Sequence, residues 1–93
     1  MTDVVVRHLA ISGHVQGVGY RHAMRETATR LNLTGWVRNR RDDSVEAMVC
    51  GPIAAVDAMV AWARRGPPSA VVSAVSVSDG SGQYERFEMR PTL

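Results

Sequence analysis

The stretch Gly13-His14-Val15-Gln16-Gly17-Val18-Gly19-Tyr20-Arg21 separates two segments of different periodicity. Before it, Val4 to Ser12 is dense in β-branched residues, the composition of a strand. After it, Met24, Ala28 and Leu31 recur at helical spacing within Tyr20 to Leu33 and share one face. Asn32 or Gly35 can supply the left-handed residue that ends this helix. A strand, a glycine-bearing loop over His14 to Gly19 and a helix therefore open the fold.

Further out, Gly35 to Arg41 reads as a strand, with Trp36 and Arg38 on one side and Val37 and Asn39 on the other. Asp42-Asp43 is a tight turn, and Val45 to Cys50 returns as its hairpin partner. Pro52 suits the first position of a second helix, where a missing N–H costs nothing. Ile53, Val56, Met59, Val60 and Ala63 form the apolar stripe of that helix, and Gly66-Pro67-Pro68 stops it. Ala70 to Ser78 alternates as a strand, Asp79 to Gly82 turns, and Tyr84 to Arg90 is a last edge strand before Pro91. The order β-α-β-β-α-β, with one further short strand, predicts an α+β fold of the ferredoxin-like kind. Two helices would cover one face of a four- to five-stranded antiparallel sheet. No linker divides the chain, so residues 1–93 are read as one domain.

Composition narrows the function. The 93 residues carry a net charge of +2, and all 11 basic residues are Arg. The lack of Lys excludes Schiff-base chemistry and a phosphate-binding lysine. The arginines are interleaved with nine acids, which argues against a nucleic-acid stripe. Five aromatics (two Trp, two Tyr, one Phe) are too few, and wrongly placed, for an RNA-stacking sheet face. Cys50 stands alone, so no intramolecular disulfide and no cysteine-based zinc site can form. No stretch approaches the roughly 20 apolar residues of a membrane span. The expectation is a cytoplasmic protein with no membrane or nucleic-acid partner.

The opening loop has chemistry of its own. Gly17 and Gly19 permit positive φ, and successive amides in such a turn converge on an anion. The helix N-terminus that follows adds unpaired donors and partial positive charge. Arg21, in the first helical turn, can grip two oxygens at once. No Gly-Lys-Ser/Thr follows, and His22 stands where a dinucleotide loop has its third glycine. On spacing alone the loop is either an anion site or a turn whose glycines serve geometry. Gln16 can brace that turn.

The same residues resemble the signature of the acylphosphatase family, Gly-x-Val-Gln-Gly-Val-x-aromatic-Arg, with His14 and Gly19 at its variable positions. Gly35-Trp36-Val37-Arg38-Asn39, then Asp42, Val45-Glu46 and Gly51, is similar to that family's second motif. Trp62, Gly66-Pro67 and Phe87-x-Met89-Arg90 extend the likeness over nearly the whole chain. The resemblance implies a hydrolase that splits acyl phosphates into a carboxylate and inorganic phosphate, without cofactor or metal; a monomer is the simplest expectation. It implies a phosphate-binding loop of His14, Val15, Gln16, Gly17, Val18, Gly19 and Tyr20. Arg21 would be the catalytic phosphate ligand and Asn39 the residue that orients water. The chain departs from the family at Asp43, where the turn usually has Gly. Of the other polar residues, His8, His14 and His22 lack metal-ligand spacing, and Arg38, Arg40 and Arg41 read as a solvated hairpin face. Trp36 and Trp62 read as packing anchors, Met24 and Met59 as core, and Cys50 as a small buried strand residue.

Overall fold

The structure, a computed structural model, describes residues 3–93. The elements are β1 (Val4–His14), α1 (Tyr20–Arg30), β2 (Thr34–Asn39), β3 (Val45–Pro52), α2 (Ile53–Arg65), β4 (Val71–Asp79) and β5 (Phe87–Met89). The strands form one sheet in the order β4-β1-β3-β2-β5, with both helices packed on it in the predicted α+β sandwich. Leu9, Ile11, Val37, Val45, Ala47 and Val49 alternate inward from the sheet. They meet Met24 and Ala28 of α1 and Val56, Met59 and Ala63 of α2. Each large apolar side chain buried this completely contributes about 1.5–3 kcal/mol.

The sheet is mixed, where an antiparallel one is predicted. β5 lies parallel to β2, with Gly35 opposite Phe87 and Val37 opposite Met89. The cause is where β4 delivers the chain. Asp79 pairs with Arg7, at the end of the sheet where Val6 pairs with Cys50 and Cys50 with Thr34. β4 therefore ends where β2 begins. Gly80 carries the chain across, donating its N–H to Val6 O at 3.0 Å. A strand laid on the free edge of β2 from that end must run in the direction of β2. It is also shorter than the predicted Tyr84 to Arg90.

Other boundaries move for local reasons. β1 runs through Gly13 to His14, past a register shift against β4 at Ser12/Gly13. Ser73 has no partner in that register, so Val72 and Val75 both pack against the core although they stand three positions apart. α1 stops at Arg30 rather than Leu33, because Asn32 turns left-handed (φ 57°). Leu33 N–H then donates to Ala28 O and Asn32 N–H to Thr29 O, the paired bonds of a Schellman end. Pro52 is the last residue of β3, with extended ψ 144°, and α2 starts one residue later.

The open face of the sheet carries charge. Trp36, only 6% exposed, carries the guanidinium groups of Arg38 and Arg90 over its ring, 4.7 and 5.0 Å from the ring centre. Beside it the buried Glu46 accepts hydrogen bonds from His8 Nε2 (2.6 Å) and Arg38 Nε (2.8 Å), with Arg40 Nη1 at 3.3 Å. Arg38 and Arg40 are thus ion-paired rather than the solvated face predicted for them. Cys50 is half-buried in β3.

Candidate active site

The first residues of the site are held by what lies beneath them. Val15, 1% exposed, plugs the start of the β1–α1 loop into the core. Tyr20 anchors its end: the hydroxyl donates to Ala63 O at 2.8 Å, and the ring tilts against Trp62 with centroids 5.3 Å apart. Burial pushes the Tyr20 phenol well above its ordinary pKa, so it stays a neutral donor. Between these anchors Gly17 (φ 74°) and Gly19 (φ 79°) take left-handed backbone, as the sequence predicts. A Cβ at either position would meet no atom within 4 Å, so backbone conformation rather than crowding is what favours glycine there.

Gly19 is the residue that caps α1, and no side chain caps the helix with it. No acid stands in the first turn. The first intrahelical bond is Ala23 N–H to Gly19 O at 3.0 Å, which leaves the amides before Ala23 without helical partners. An uncapped helix start with no acid nearby presents donors and partial positive charge to an anion. Arg21 is half-buried beside it and forms no ion pair among the described residues.

A cavity of about 100 Å³ opens here, lined by Val15, Gln16, Gly17, Gly19, Tyr20, Arg21, His22 and Asn39. Arg21 and Asn39, 18 positions apart in the chain (39 less 21), share it. Asn39 comes to it at the end of β2, facing the same side as the fully buried Val37. Its Oδ1 is buried and has no hydrogen-bond partner among the described residues. A buried carbonyl oxygen left unpaired costs about 1–3 kcal/mol, which a donor entering the cavity relieves.

Of the predicted loop, His14 and Val18 do not line the cavity. His14 is an exposed residue of β1, paired with Val71, and Val18 packs partly against the core. The Tyr20 side chain serves the core, as described. His22, to which the sequence reading gives no role, does line the cavity. Its position directly after Arg21 in the first helical turn is the one signal that places it there.

The acylphosphatase family profile matches residues 7–89. A protein of Thiobacillus denitrificans named acylphosphatase is 55% identical over 83 residues, covering 89% of this chain and 93% of its own length. The solved structure of an acylphosphatase from Coxiella burnetii has a TM-score of 0.91 at 36% identity, covering 95% of this chain and 94% of that one. The crystal structure of acylphosphatase from Bacillus subtilis has a TM-score of 0.88 at 31% identity, covering 95% and 99%. The two quoted motifs, the fold and these relatives agree: the chain belongs to the acylphosphatase family.

Proposed function

We propose that the chain hydrolyses acyl phosphates by direct attack of water on phosphorus, with Arg21 and the loop amides holding the phosphoryl group and Asn39 orienting the water. The observation that carries this is the shared cavity: an unpaired guanidinium, an uncapped helix start and a buried, unpartnered amide oxygen all line one small space. Arg21 and the loop N–H groups hold the phosphoryl oxygens and meet the charge that spreads over them in the transition state. Asn39 Oδ1 accepts one hydrogen of the water and sets its oxygen in line with the bond to be broken.

In the step itself the water oxygen bonds to phosphorus. The bond from phosphorus to the acyl oxygen breaks, its electron pair leaves with the carboxylate, and the protons of the water stay with the phosphate. The departing carboxylate has a conjugate-acid pKa of about 4, so no general acid has to protonate it. A site of positioned donors without a carboxylate suits that leaving group and would serve a poor alkoxide badly. The groups the step uses, Arg21, the loop amides and Asn39, lie within one domain, which fits a monomer, and the lone Cys50 fits a reducing cytoplasm.

The test is hydrolysis of benzoyl phosphate followed in the ultraviolet, with inorganic phosphate as competitive inhibitor. Arg21→Ala is expected to lose phosphate affinity and at least about 100-fold in kcat/KM. Asn39→Ala is expected to keep phosphate inhibition while turnover collapses. Near-full activity in Asn39→Ala removes it from the mechanism.

A further inference from the structure

The phosphate cradle and the water-orienting amide belong to different segments, so something must set the distance between them. We infer that Gln16 does this, as a positioning residue that ties the phosphate loop to the strand end bearing Asn39; the inference rests on the function just proposed. The Gln16 side-chain Nε2 donates to Arg40 O and to Ser44 O, each at 2.8 Å. Both amide hydrogens are therefore engaged. One acceptor belongs to Arg40, the residue bonded directly to Asn39, and the other closes the far side of the β2–β3 turn. The same residue lines the cavity from the loop side.

These two bonds are not needed to close the turn. Arg40 O also accepts from Asp43 N–H (3.2 Å), and Ser44 O also accepts from Arg40 N–H (2.8 Å). Asp42 adds its own closure, its Oδ1 accepting from Ser44 N–H at 3.0 Å. With the turn already held, what Gln16 adds is its register against the phosphate loop. The chemistry also selects the residue type. Both targets are carbonyl oxygens, so the tie needs two donors and no charge, which a primary amide supplies. A carboxylate of the same shape would set acceptor against acceptor. A water held even 1 Å from its productive place loses up to about 100-fold in rate.

The experiment compares Gln16→Ala, Gln16→Glu and the double variant Gln16→Ala/Asn39→Ala on benzoyl phosphate, with inhibition by inorganic phosphate measured on each. Expected are a kcat lowered by about 10- to 100-fold in Gln16→Ala, with the inhibition constant for phosphate within about twofold of wild type. Gln16→Glu should be at least as slow. In the double variant, losing Gln16 should cost nothing beyond losing Asn39, because the tie has nothing left to position. A merely structural glutamine would instead give multiplied losses in the double variant. Multiplied losses, an unchanged kcat, or phosphate inhibition weakened in step with kcat each overturn the inference. Should Gln16→Ala not fold, Gln16→Met, of equal length and without donors, is measured in its place. An active Asn39→Ala enzyme would sink the proposed water role and this inference together. The result that defeats the inference alone is a slow Asn39→Ala enzyme beside a fast Gln16→Ala one.

Discussion

At position 43 the β2–β3 turn imposes φ 72° on an aspartate. An L residue there is strained, Asp less than most, and Gly not at all. Asp43→Gly is expected to raise stability by about 0.5 kcal/mol, because relief of strain exceeds the added freedom of the unfolded chain. The melting temperature should rise by about 2–4 °C. An unchanged or lower midpoint in calorimetry would mean that this backbone carries no strain. The aspartate was legible as a misfit because the family resemblance puts glycine at its place in the turn, and Arg21 and Asn39 were legible from their places in the same motifs. The partners of Gln16, 24 and 28 positions away, were not, and neither was the contact between His8 and Glu46, 38 positions apart. Such contacts exist only once strand register is settled, and no local pattern encodes it.

Helix ends are where the elements are tied to one another. α2 leaves its last carbonyls without helical partners, and the Tyr20 hydroxyl satisfies one of them at Ala63. Tyr20 thereby fastens the first residue of α1 to the last turn of α2, directly behind Arg21. Tyr20→Phe should cost about 1–2 kcal/mol for the unpaired carbonyl, and lower the melting temperature by about 4–16 °C. The phenyl ring still fills its place against Trp62, so phosphate should still bind the folded variant and raise its melting temperature. Thermal melts with and without phosphate check both statements, and an unshifted melt would show that the bond adds nothing. Helix faces and the glycine loop could be read in advance because their periods are local. The direction of β5 could not, since it depends on which end of the sheet β4 reaches. Nor could the inward pair Val72 and Val75, since an unpaired Ser73 shifts the alternation.

For the molecule as a whole, the sheet separates an apolar layer under the helices from a charged layer on its other side. Glu46 is the centre of the charged layer. Burial alone would raise its pKa, but hydrogen bonds from His8 and Arg38 and the charges of Arg38 and Arg40 outweigh burial and hold it below the usual glutamate range. The sign follows from the depressed value. The carboxylate stabilises the fold fully above the ordinary glutamate range, and that contribution is lost as pH falls through the depressed folded pKa. Urea titrations between pH 3 and 7 should show stability declining at the acid end. Glu46→Gln should be about 2 kcal/mol less stable at neutral pH and show a shallower acid decline. Equal acid slopes for the two proteins would shift the effect to other carboxylates.

Beyond β5 the backbone stays alongside β2. Arg90 N–H donates to Val37 O, Leu93 N–H to Asn39 O, and Arg41 N–H to Leu93 O. This arrangement matters to anyone who wants to tether the enzyme to a bead or an electrode. A linker fixed at residue 93 would transmit its tension straight into the peptide that carries Asn39. One fixed at the exposed Ser76 of β4 would load the opposite edge, three strands from that peptide.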